Sequence, residues 1–433
     1  MSTESASAPS LRRALSLPHA VIIGVGSMLG AGVFTVFGHA AAEAGGALLI
    51  ALGLAAFVAF ANATSSAQLA AVYPTSGGSY IFGREQLGPW RGFLAGWGFL
   101  IGKTASTAAM ALTAAAYLVP GDSLGWPQRL AAAGIVLVIA TINYRGVQRT
   151  ATATAVIVGI VVAALAISII SGFTVSGAEV PLAEQLNPLL PETGVLGVVQ
   201  AAGLFFFAFA GFARIATMGE EVTEPTKNIP RAILLALGTV LVLYVLISLM
   251  LLHTVGLQKL SGAPAPLAVA AGVVADESST WSWLPVVIAP VAGLAACGAL
   301  LALMTGIGRT TLAMARHDDL PNSLAAVHPK FGVPHRAEVI LAAIVVVLVL
   351  TLDLRGAIGF SSFGVLLYYF IANWSALTQS AQVRRYPKAL QIAGMIACVG
   401  IAFLQPLPAV IGGLIVFALG FGYRFWRQRK TVS

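Results

Sequence analysis

The chain has 433 residues, of which 58% are hydrophobic and 9% are charged, and its formal net charge is +8. A soluble domain carries charge on about a quarter of its residues, so this composition excludes a protein whose surface is covered by water. Backbone groups in hydrocarbon must satisfy their own hydrogen bonds, and the composition therefore predicts an all-α membrane protein.

The chain opens with a polar segment, Met1–Ser16, that contains Arg12 and Arg13. No small-residue cleavage site follows, so a cytosolic tail is predicted and not a signal peptide.

A helix needs about 20 apolar residues to cross a bilayer. Twelve spans are predicted on this basis, with edges defined to within a few residues. The predicted spans are 18–40, 45–71, 90–118, 127–144, 149–172, 194–219, 231–256, 283–315, 337–354, 357–380, 389–404 and 407–425.

Basic residues are distributed unequally between the two sets of loops in this topology. Nineteen belong to the side that carries both termini, and three belong to the other side. Two more, Lys103 and Arg214, lie within predicted spans. The positive-inside rule therefore predicts that both termini are cytosolic. Because the basic balance is explained by topology, no nucleic-acid partner is expected.

The first span contains four glycines, Gly24, Gly26, Gly30 and Gly32. Each glycine inside a helix costs up to ~1 kcal/mol relative to alanine, so the cluster indicates a local break. A break would expose N–H groups and the positive end of a half-helix near mid-membrane, where a carboxylate can bind. Close helix packing is the alternative, because Gly26 and Gly30 also form a small-xxx-small face.

The sixth span has a comparable irregularity, in which Phe207, Gly211 and Arg214 follow one another closely. Interrupted spans at corresponding places in two halves of a chain point to a transporter's midplane site. Gly30 lies in the first of the first five spans, and Gly211 lies in the first of the second five. The repeat is inferred from position, since the two halves show no sequence identity.

Four motifs occur in order between residues 17 and 387. They are Gly26–Phe34 in the first span, Tyr73–Tyr80 after the second, Phe206–Ile233 across the sixth and seventh, and Met314–Pro321 after the eighth. Each motif alone is weak. In this order and spacing the chain resembles the amino acid–polyamine–organocation family of permeases.

The resemblance implies the inverted five-plus-five, LeuT-like fold that is shared with sodium-coupled transporters. The two repeats would be 17–172 and 194–380, and two further spans would occupy 389–425. The tails, 1–16 and 426–433, would both be cytosolic.

The resemblance also implies a substrate site. In the family, N–H groups at the break in the first span bind the substrate carboxylate, and these correspond here to residues 30–32. Carbonyls of the first and sixth spans bind the ammonium, and these correspond to Met28, Phe207, Ala208 and Ala210. Phe207 falls where members often have an aromatic gate, with a core aromatic as the alternative. The implied site comprises Met28, Gly30, Ala31, Gly32, Phe207, Ala208, Ala210 and Gly211.

The chain departs from the family pattern in two ways. Many members have an acidic residue two positions after the glycine of the sixth span, where this chain has Ala213. Some members have a lysine in the fifth span that replaces a sodium ion, and this span has none. Arg214 either pairs with Glu220 or Glu221 or occupies the space of a cation site. Neutral or acidic amino acids are therefore expected as substrates, with arginine, lysine and polyamines as the alternative.

Lys103 lies deep within the third span, with Ser106 and Thr107 on the same helix face as expected hydrogen-bond partners. A lysine at the membrane centre costs about 2.5–3.5 kcal/mol on insertion scales, so a functional role is the default hypothesis. Burial disfavours its charged form. Lys103 is expected either to exchange a proton during transport or to serve as a fixed cation.

Other classes of function find less support in the sequence. A membrane enzyme would need paired carboxylates, a nucleophile set or metal-ligand spacing, and none is recognisable. A channel would need a polar filter, and none is recognisable. Cys297 and Cys398 lie in apolar stretches and are expected to be core residues. The sequence thus predicts an amino acid transporter in a lipid bilayer, with an amino acid as its partner and no cofactor or metal.

Overall fold

The computed structural model of the chain describes residues 14–74, 77–121, 124–146, 151–187 and 193–432, apart from the side chains of residues 430–432. The first α-helices are α1 (Leu17–Met28), α2 (Gly32–Ala44), α3 (Leu48–Val72), α4 (Gly78–Leu87), α5 (Pro89–Leu118), α6 (Trp126–Tyr144), α7 (Ala151–Gly172), α8 (Leu182–Gln185) and α9 (Gly194–Phe209). The others are α10 (Ala213–Ala216), α11 (Pro225–Thr254), α12 (Leu257–Leu260), α13 (Pro266–Glu277), α14 (Leu284–Arg316), α15 (His335–Thr351), α16 (Leu354–Leu377), α17 (Lys388–Phe403) and α18 (Leu407–Val432). Short 3-10 helices occur at η1 (Gly45–Ala47), η2 (Ala210–Phe212), η3 (Ser279–Trp281) and η4 (Asn322–Ala325).

Nine helical stretches in the described ranges are long and apolar enough to cross a membrane. They are Gly32–Val72, Pro89–Leu118, Trp126–Tyr144, Ala151–Gly172, Gly194–Ala216, Pro225–Thr254, Ser279–Arg316, Leu354–Leu377 and Leu407–Arg429. The prediction of an all-α, multi-pass membrane protein is confirmed. The number of twelve spans and the five-plus-five repeat stay predictions, since α1 and α17 are apolar but shorter.

The outer helices expose large apolar side chains. A water-soluble protein rarely leaves extended apolar surface uncovered, whereas hydrocarbon solvates such side chains without cost. They include Leu137, Val138, Val156, Ile170, Val242, Val286, Val347, Ile396, Leu414 and Leu419. In contrast, most side chains of α2, α5, α9 and α16 are buried against other helices.

Two parts of the sequence prediction differ from the structure. Helices α4 and α13 lie in predicted connections, because a criterion of about 20 apolar residues does not detect helices of 10 and 12 residues. Helix α18 continues to Val432 through most of the predicted C-terminal tail, 426–433. The predicted N-terminal tail lies outside the described residues up to Arg13.

One end of the bundle, here called the Asp319 end, is joined through a single buried carboxylate. The Asp319 side chain accepts hydrogen bonds from Tyr80 at 2.9 Å and Arg84 at 3.3 Å, and it pairs with Arg424 at 2.9 Å. Burial raises the pKa of the Tyr80 hydroxyl and Asp319 raises it further, so this group donates throughout the physiological range. The Arg424 guanidinium also lies over the Trp90 ring, 4.5 Å from its centroid. Asp319 thereby connects α4, the end of α14 and α18.

We predict that Asp319→Asn destabilises the protein far more than Asp318→Asn. The first change leaves the Arg424 side chain, 3% exposed, without its counter-charge, which typically costs about 3–5 kcal/mol. The Asp318 carboxylate is 73% exposed and pairs with Arg427 at 2.9 Å, an exposed type of pair worth about 1 kcal/mol or less. Thermal melting of both purified variants measures the difference, and equal melting temperatures would contradict the prediction.

Candidate functional site

The first predicted span is broken in the middle. Helix α1 ends at Met28 and α2 begins at Gly32, so Leu29, Gly30 and Ala31 form a turn between the two halves. The Leu29 N–H still bonds the Val25 carbonyl at 2.8 Å. Gly30 and Ala31 are buried, and their N–H groups donate to no other group in the described part of the chain. The break therefore leaves free donors at the positive end of α2.

The second interruption packs directly on the first. Helix α9 ends at Phe209, and the chain continues through the 3-10 turn η2 into the four-residue helix α10. Gly211 faces Ser27 and Met28, and a Cβ atom on Gly211 would lie 2.6 Å from the Met28 nitrogen. Only glycine permits this approach.

Gly30 and Gly32 are also sites of close packing. A Cβ atom on Gly32 would lie 2.6 Å from the Cα of Ala208 in α9, and one on Gly30 would lie 2.5 Å from the Cβ of Ala299 in α14. Real Cβ atoms do not approach other heavy atoms so closely. The two interpretations of the glycine cluster, a helix break and close packing, therefore both hold.

A tyrosine that the sequence analysis overlooked bridges the two interruptions. The Tyr244 hydroxyl lies 2.8 Å from the Met28 carbonyl and 3.2 Å from the Ala208 carbonyl, and its single proton is shared between the two oxygens. Tyr244 is fully buried in α11. A buried tyrosine hydroxyl needs a polar partner, so a tyrosine within an aliphatic span was the available signal.

The Ala210 carbonyl has two donors of its own. The Lys103 ammonium lies 3.3 Å from it, and the Tyr369 hydroxyl lies 3.4 Å from it. The predicted partners of Lys103 bind elsewhere: Ser106 contacts Ser361 at 2.6 Å, and Thr107 donates to the Lys103 carbonyl at 2.9 Å. Lys103 therefore reaches the interruption of the sixth span directly.

Two cavities lie beside these interruptions. The central cavity, of about 100 Å³, is lined by Lys103, Phe207, Ala210, Gly211 and Thr310, among others. The peripheral cavity, of about 210 Å³, extends to Leu15 and Glu221 near the Asp319 end. The two cavities share five lining residues and so adjoin each other. The shared residues are Ser27, Arg214, Ala299, Ala302 and Arg309.

The predicted site residues fall into two groups. Five line the central cavity, namely Lys103, Phe207, Ala210, Gly211 and Arg214. The other five are buried behind its wall and line neither cavity. These are Met28, Gly30, Ala31, Gly32 and Ala208. The free N–H groups at the break therefore do not face the cavities in this conformation.

Positive charge predominates at the cavities. Arg214 hydrogen-bonds Thr217 at 3.4 Å, while Glu221 attracts its charge and Arg309 repels it. Arg309 lies in α14 and lines both cavities. With Lys103, three cations and the Glu221 carboxylate line the two cavities.

The opposite end of the bundle, here called the Glu43 end, is closed over α2. The Tyr117 hydroxyl donates to the Phe34 carbonyl at 2.6 Å, and the Gly262 N–H donates to the Gly38 carbonyl at 2.9 Å. Glu43 forms an ion pair with Arg355. The segment of α12 and α13 thus covers the side of the break that lies away from the cavities.

The fold and the site define a class of protein: a multi-pass helical membrane protein with a cavity, lined in part by cationic side chains, at two packed helix interruptions. A family model described as amino acid permease matches residues 15–425. The chain belongs to the amino acid permease family, and it is a transporter of that type.

Similar proteins carry several different substrate names. An uncharacterized transporter of Mycobacterium tuberculosis is 48% identical over 425 residues, which is 98% of this chain and 92% of the relative. A methylthioribose transporter of Bacillus subtilis is 31% identical over 352 residues, 76% and 72% of the two chains. A branched-chain amino acid permease of Bacillus subtilis is 25% identical over 414 residues, 91% and 87% of the two chains.

We predict that Gly30→Ala lowers stability and transport, and that adding Ala299→Gly restores both. A Cβ atom added at Gly30 would collide with the methyl group of Ala299, whereas it would lie 3.9 Å from the Ala299 Cα, which is an ordinary contact distance. Removing this methyl group therefore makes room. The N–H group that is assigned to the substrate is unchanged in the double variant. Thermal melting and uptake into vesicles measure the two effects, with Ala299→Gly alone as the control. A double variant no more stable than Gly30→Ala would contradict the prediction.

Proposed function

We propose that this protein is a secondary active transporter that carries amino acids across the cell membrane by alternating access. The observation that carries the proposal is the packing of two interrupted helical stretches on each other beside a cavity that Lys103 and Arg214 line. Unwound backbone at membrane depth is tolerated only where it is buried in protein or lines a cavity. Such paired interruptions are where transporters of this architecture bind their substrates.

The proposed topology has twelve spans with both termini in the cytosol. The repeats are 17–172 and 194–380, and the last two spans lie in 389–425. The positions of the two interruptions support it, because each lies in the first span of its half. We assign the Asp319 end to the cytosol from the unequal distribution of basic residues. A cavity that extends toward this end, together with a closed Glu43 end, supports an inward-facing conformation.

The carbonyl groups are proposed to receive the substrate ammonium by exchange of partners. A carbonyl oxygen has two lone pairs, and Lys103 and Tyr369 already donate to that of Ala210. A substrate ammonium therefore reaches this oxygen only when one donor withdraws. We propose that Lys103 is the donor that withdraws, because its flexible side chain can move without a change in the backbone.

The carboxylate of the substrate is proposed to bind the N–H groups of residues 30–32. These groups are buried behind the cavity wall in this conformation, and Gly30 is covered by Ala299 of α14. Binding thus requires α14 and the broken span to separate. Alternating access requires a movement of this kind, because one site must face each side of the membrane in turn.

The substrate is proposed to be a neutral or acidic amino acid. Lys103, Arg214 and Arg309 oppose a second positive charge on the substrate, and Ala213 supplies no carboxylate to bind one. The alternative is a cationic amino acid or a polyamine, with Glu221 as its counter-charge. Uptake or exchange of labelled amino acids by the purified protein in lipid vesicles tests the transport function itself.

We predict that excess alanine, serine or glutamate competes for uptake more strongly than arginine or putrescine. Each unfavourable contact of 1.4 kcal/mol lowers affinity about tenfold, and the cavities present three cations. The measurement is the inhibition of labelled alanine, serine or glutamate uptake by each competitor, with protein-free vesicles as the control. Equal inhibition by arginine and glutamate would reject the proposed substrate class.

Lys103 is proposed to release and regain a proton during the cycle. Its ammonium is buried and contacts only the neutral Ala210 carbonyl among the described groups, with no carboxylate beside it. Burial disfavours the charged form of a lysine, so loss of the proton accompanies withdrawal from the carbonyl. A fixed cation at the same place is the alternative.

We predict that Lys103→Gln flattens the pH dependence of uptake and that wild-type uptake does not require sodium. The matched control is Lys259→Gln, since Lys259 is exposed at the Glu43 end. Uptake of the best competitor from the preceding assay is measured over a pH series, with and without sodium. An unchanged pH profile in Lys103→Gln, or a strict need for sodium in the wild type, would overturn the proton role.

A further inference from the structure

A buried carboxylate without a counter-charge lies beside the peripheral cavity. Glu338, in the first turn of α15, is 3% exposed. Its Oε2 atom accepts a hydrogen bond from the Asn143 amide of α6 at 2.5 Å. Its Oε1 atom lies directly over Gly308 of α14, where a Cβ atom would collide with it. Three helices therefore enclose this carboxyl group.

Charged and titratable groups occur on the elements around Glu338, but none of them pairs with it. They are His335 and Arg336 on its own helix, Tyr144 and Arg145 at the end of α6, Lys103 on α5, Arg309 on α14, and His328 and Lys330 in the loop before α15. Within the described residues, the Asn143 amide is the hydrogen-bond donor to this buried carboxyl group. A carboxylate with one neutral donor in a buried site is unfavourable, so these surroundings favour the protonated form.

A hydrogen-bond chain connects this carboxyl group to the peripheral cavity. The Asn143 amide that donates to Glu338 accepts in turn from the Thr305 hydroxyl, at 2.8 Å. Thr305 lines the peripheral cavity. Thr305 and Gly308 are three residues apart on α14, so one face of this helix touches the cavity through Thr305 and the carboxyl group through Gly308.

A second titratable group lies toward the Asp319 end. His335 precedes Glu338 by three residues on α15, and its Nδ1 atom is buried without a hydrogen-bond partner in the described structure. Its ring packs against those of Tyr144 and His328, with centroids 6.4 and 5.5 Å away. The imidazole is partly exposed. It therefore offers a proton acceptor between the buried carboxyl group and water.

We propose that Glu338 is a proton-binding site that is coupled to the cavity through Asn143 and Thr305. In the conformation described here the carboxyl group is protonated and enclosed. Movement of α14 withdraws Thr305 and Gly308, admits water, and lets the O–H bond break; the proton passes to water or to His335, and Glu338 becomes a carboxylate. Proton binding stands without the proposed function, whereas coupling to transport rests on it.

Infrared spectroscopy of the full-length protein in lipid bilayers tests proton binding without any substrate. A pH titration is expected to show the carbonyl band of a protonated carboxylic acid persisting to neutral pH. Glu338→Gln is expected to abolish this band, and Glu338→Asp to retain one at a shifted position. Glu184→Gln, which removes an exposed glutamate, is the matched control and leaves the band unchanged. A band that persists in Glu338→Gln would overturn the proposal.

A second measurement tests the coupling. Thr305→Val removes the hydroxyl that contacts Asn143 and keeps the side-chain volume, so the carboxyl band is expected to remain. Uptake of alanine or glutamate by this variant is expected to lose the part of its pH dependence that Glu338→Gln also loses. An unaltered pH profile in both variants would overturn the coupling. Absence of uptake in the wild type would count against the transport function, while the infrared result would still decide proton binding.

Discussion

The need to satisfy backbone groups inside a membrane governs this structure. Two helical stretches are interrupted where they pack on each other, and each interruption frees carbonyl and N–H groups that lipid cannot solvate. Side chains from other helices hydrogen-bond the freed carbonyl groups. Tyr244 bonds those of Met28 and Ala208, and Lys103 bonds that of Ala210. Within the described ranges, the N–H groups of Gly30 and Ala31 have no such partner. The fold thus satisfies its acceptors and leaves donors free, which is the polarity that a carboxylate requires.

Glycine makes the meeting of the two interruptions possible. Gly211 lets the 3-10 turn approach the backbone at Met28, and Gly32 lets α2 approach the backbone of Ala208. These contacts are between backbones, so a side chain at either position cannot be accommodated by a change of rotamer. The contact at Gly30 differs, because it faces only the methyl group of Ala299. Ala299, which lines both cavities, therefore lies between them and Gly30.

Much of this fold could be predicted from the sequence, because apolar length is a strong signal. The predicted span 90–118 corresponds to α5, Pro89–Leu118, and the glycine cluster predicted a break in the first span, which the structure has at residues 29–31. The site was predicted less completely. Tyr244 and Arg309 occur in ordinary apolar or basic surroundings in the sequence, and only the packing of distant helices brings them to the interruptions and cavities. Spacing along one helix likewise cannot reveal that Lys103 bonds a carbonyl on another helix.

Helix α14 connects the parts of the molecule that the proposed cycle must coordinate. It covers Gly30 through Ala299, it lines both cavities, and it contacts the Asn143–Glu338 pair through Thr305 and Gly308. Regular α-helices move largely as rigid units, so a shift that uncovers Gly30 also displaces Thr305 and Gly308. The same shift acts on the ion pairs that follow its C-terminus at the Asp319 end. In the proposed cycle, substrate access, proton exchange and closure of that end therefore all depend on the movement of one helix.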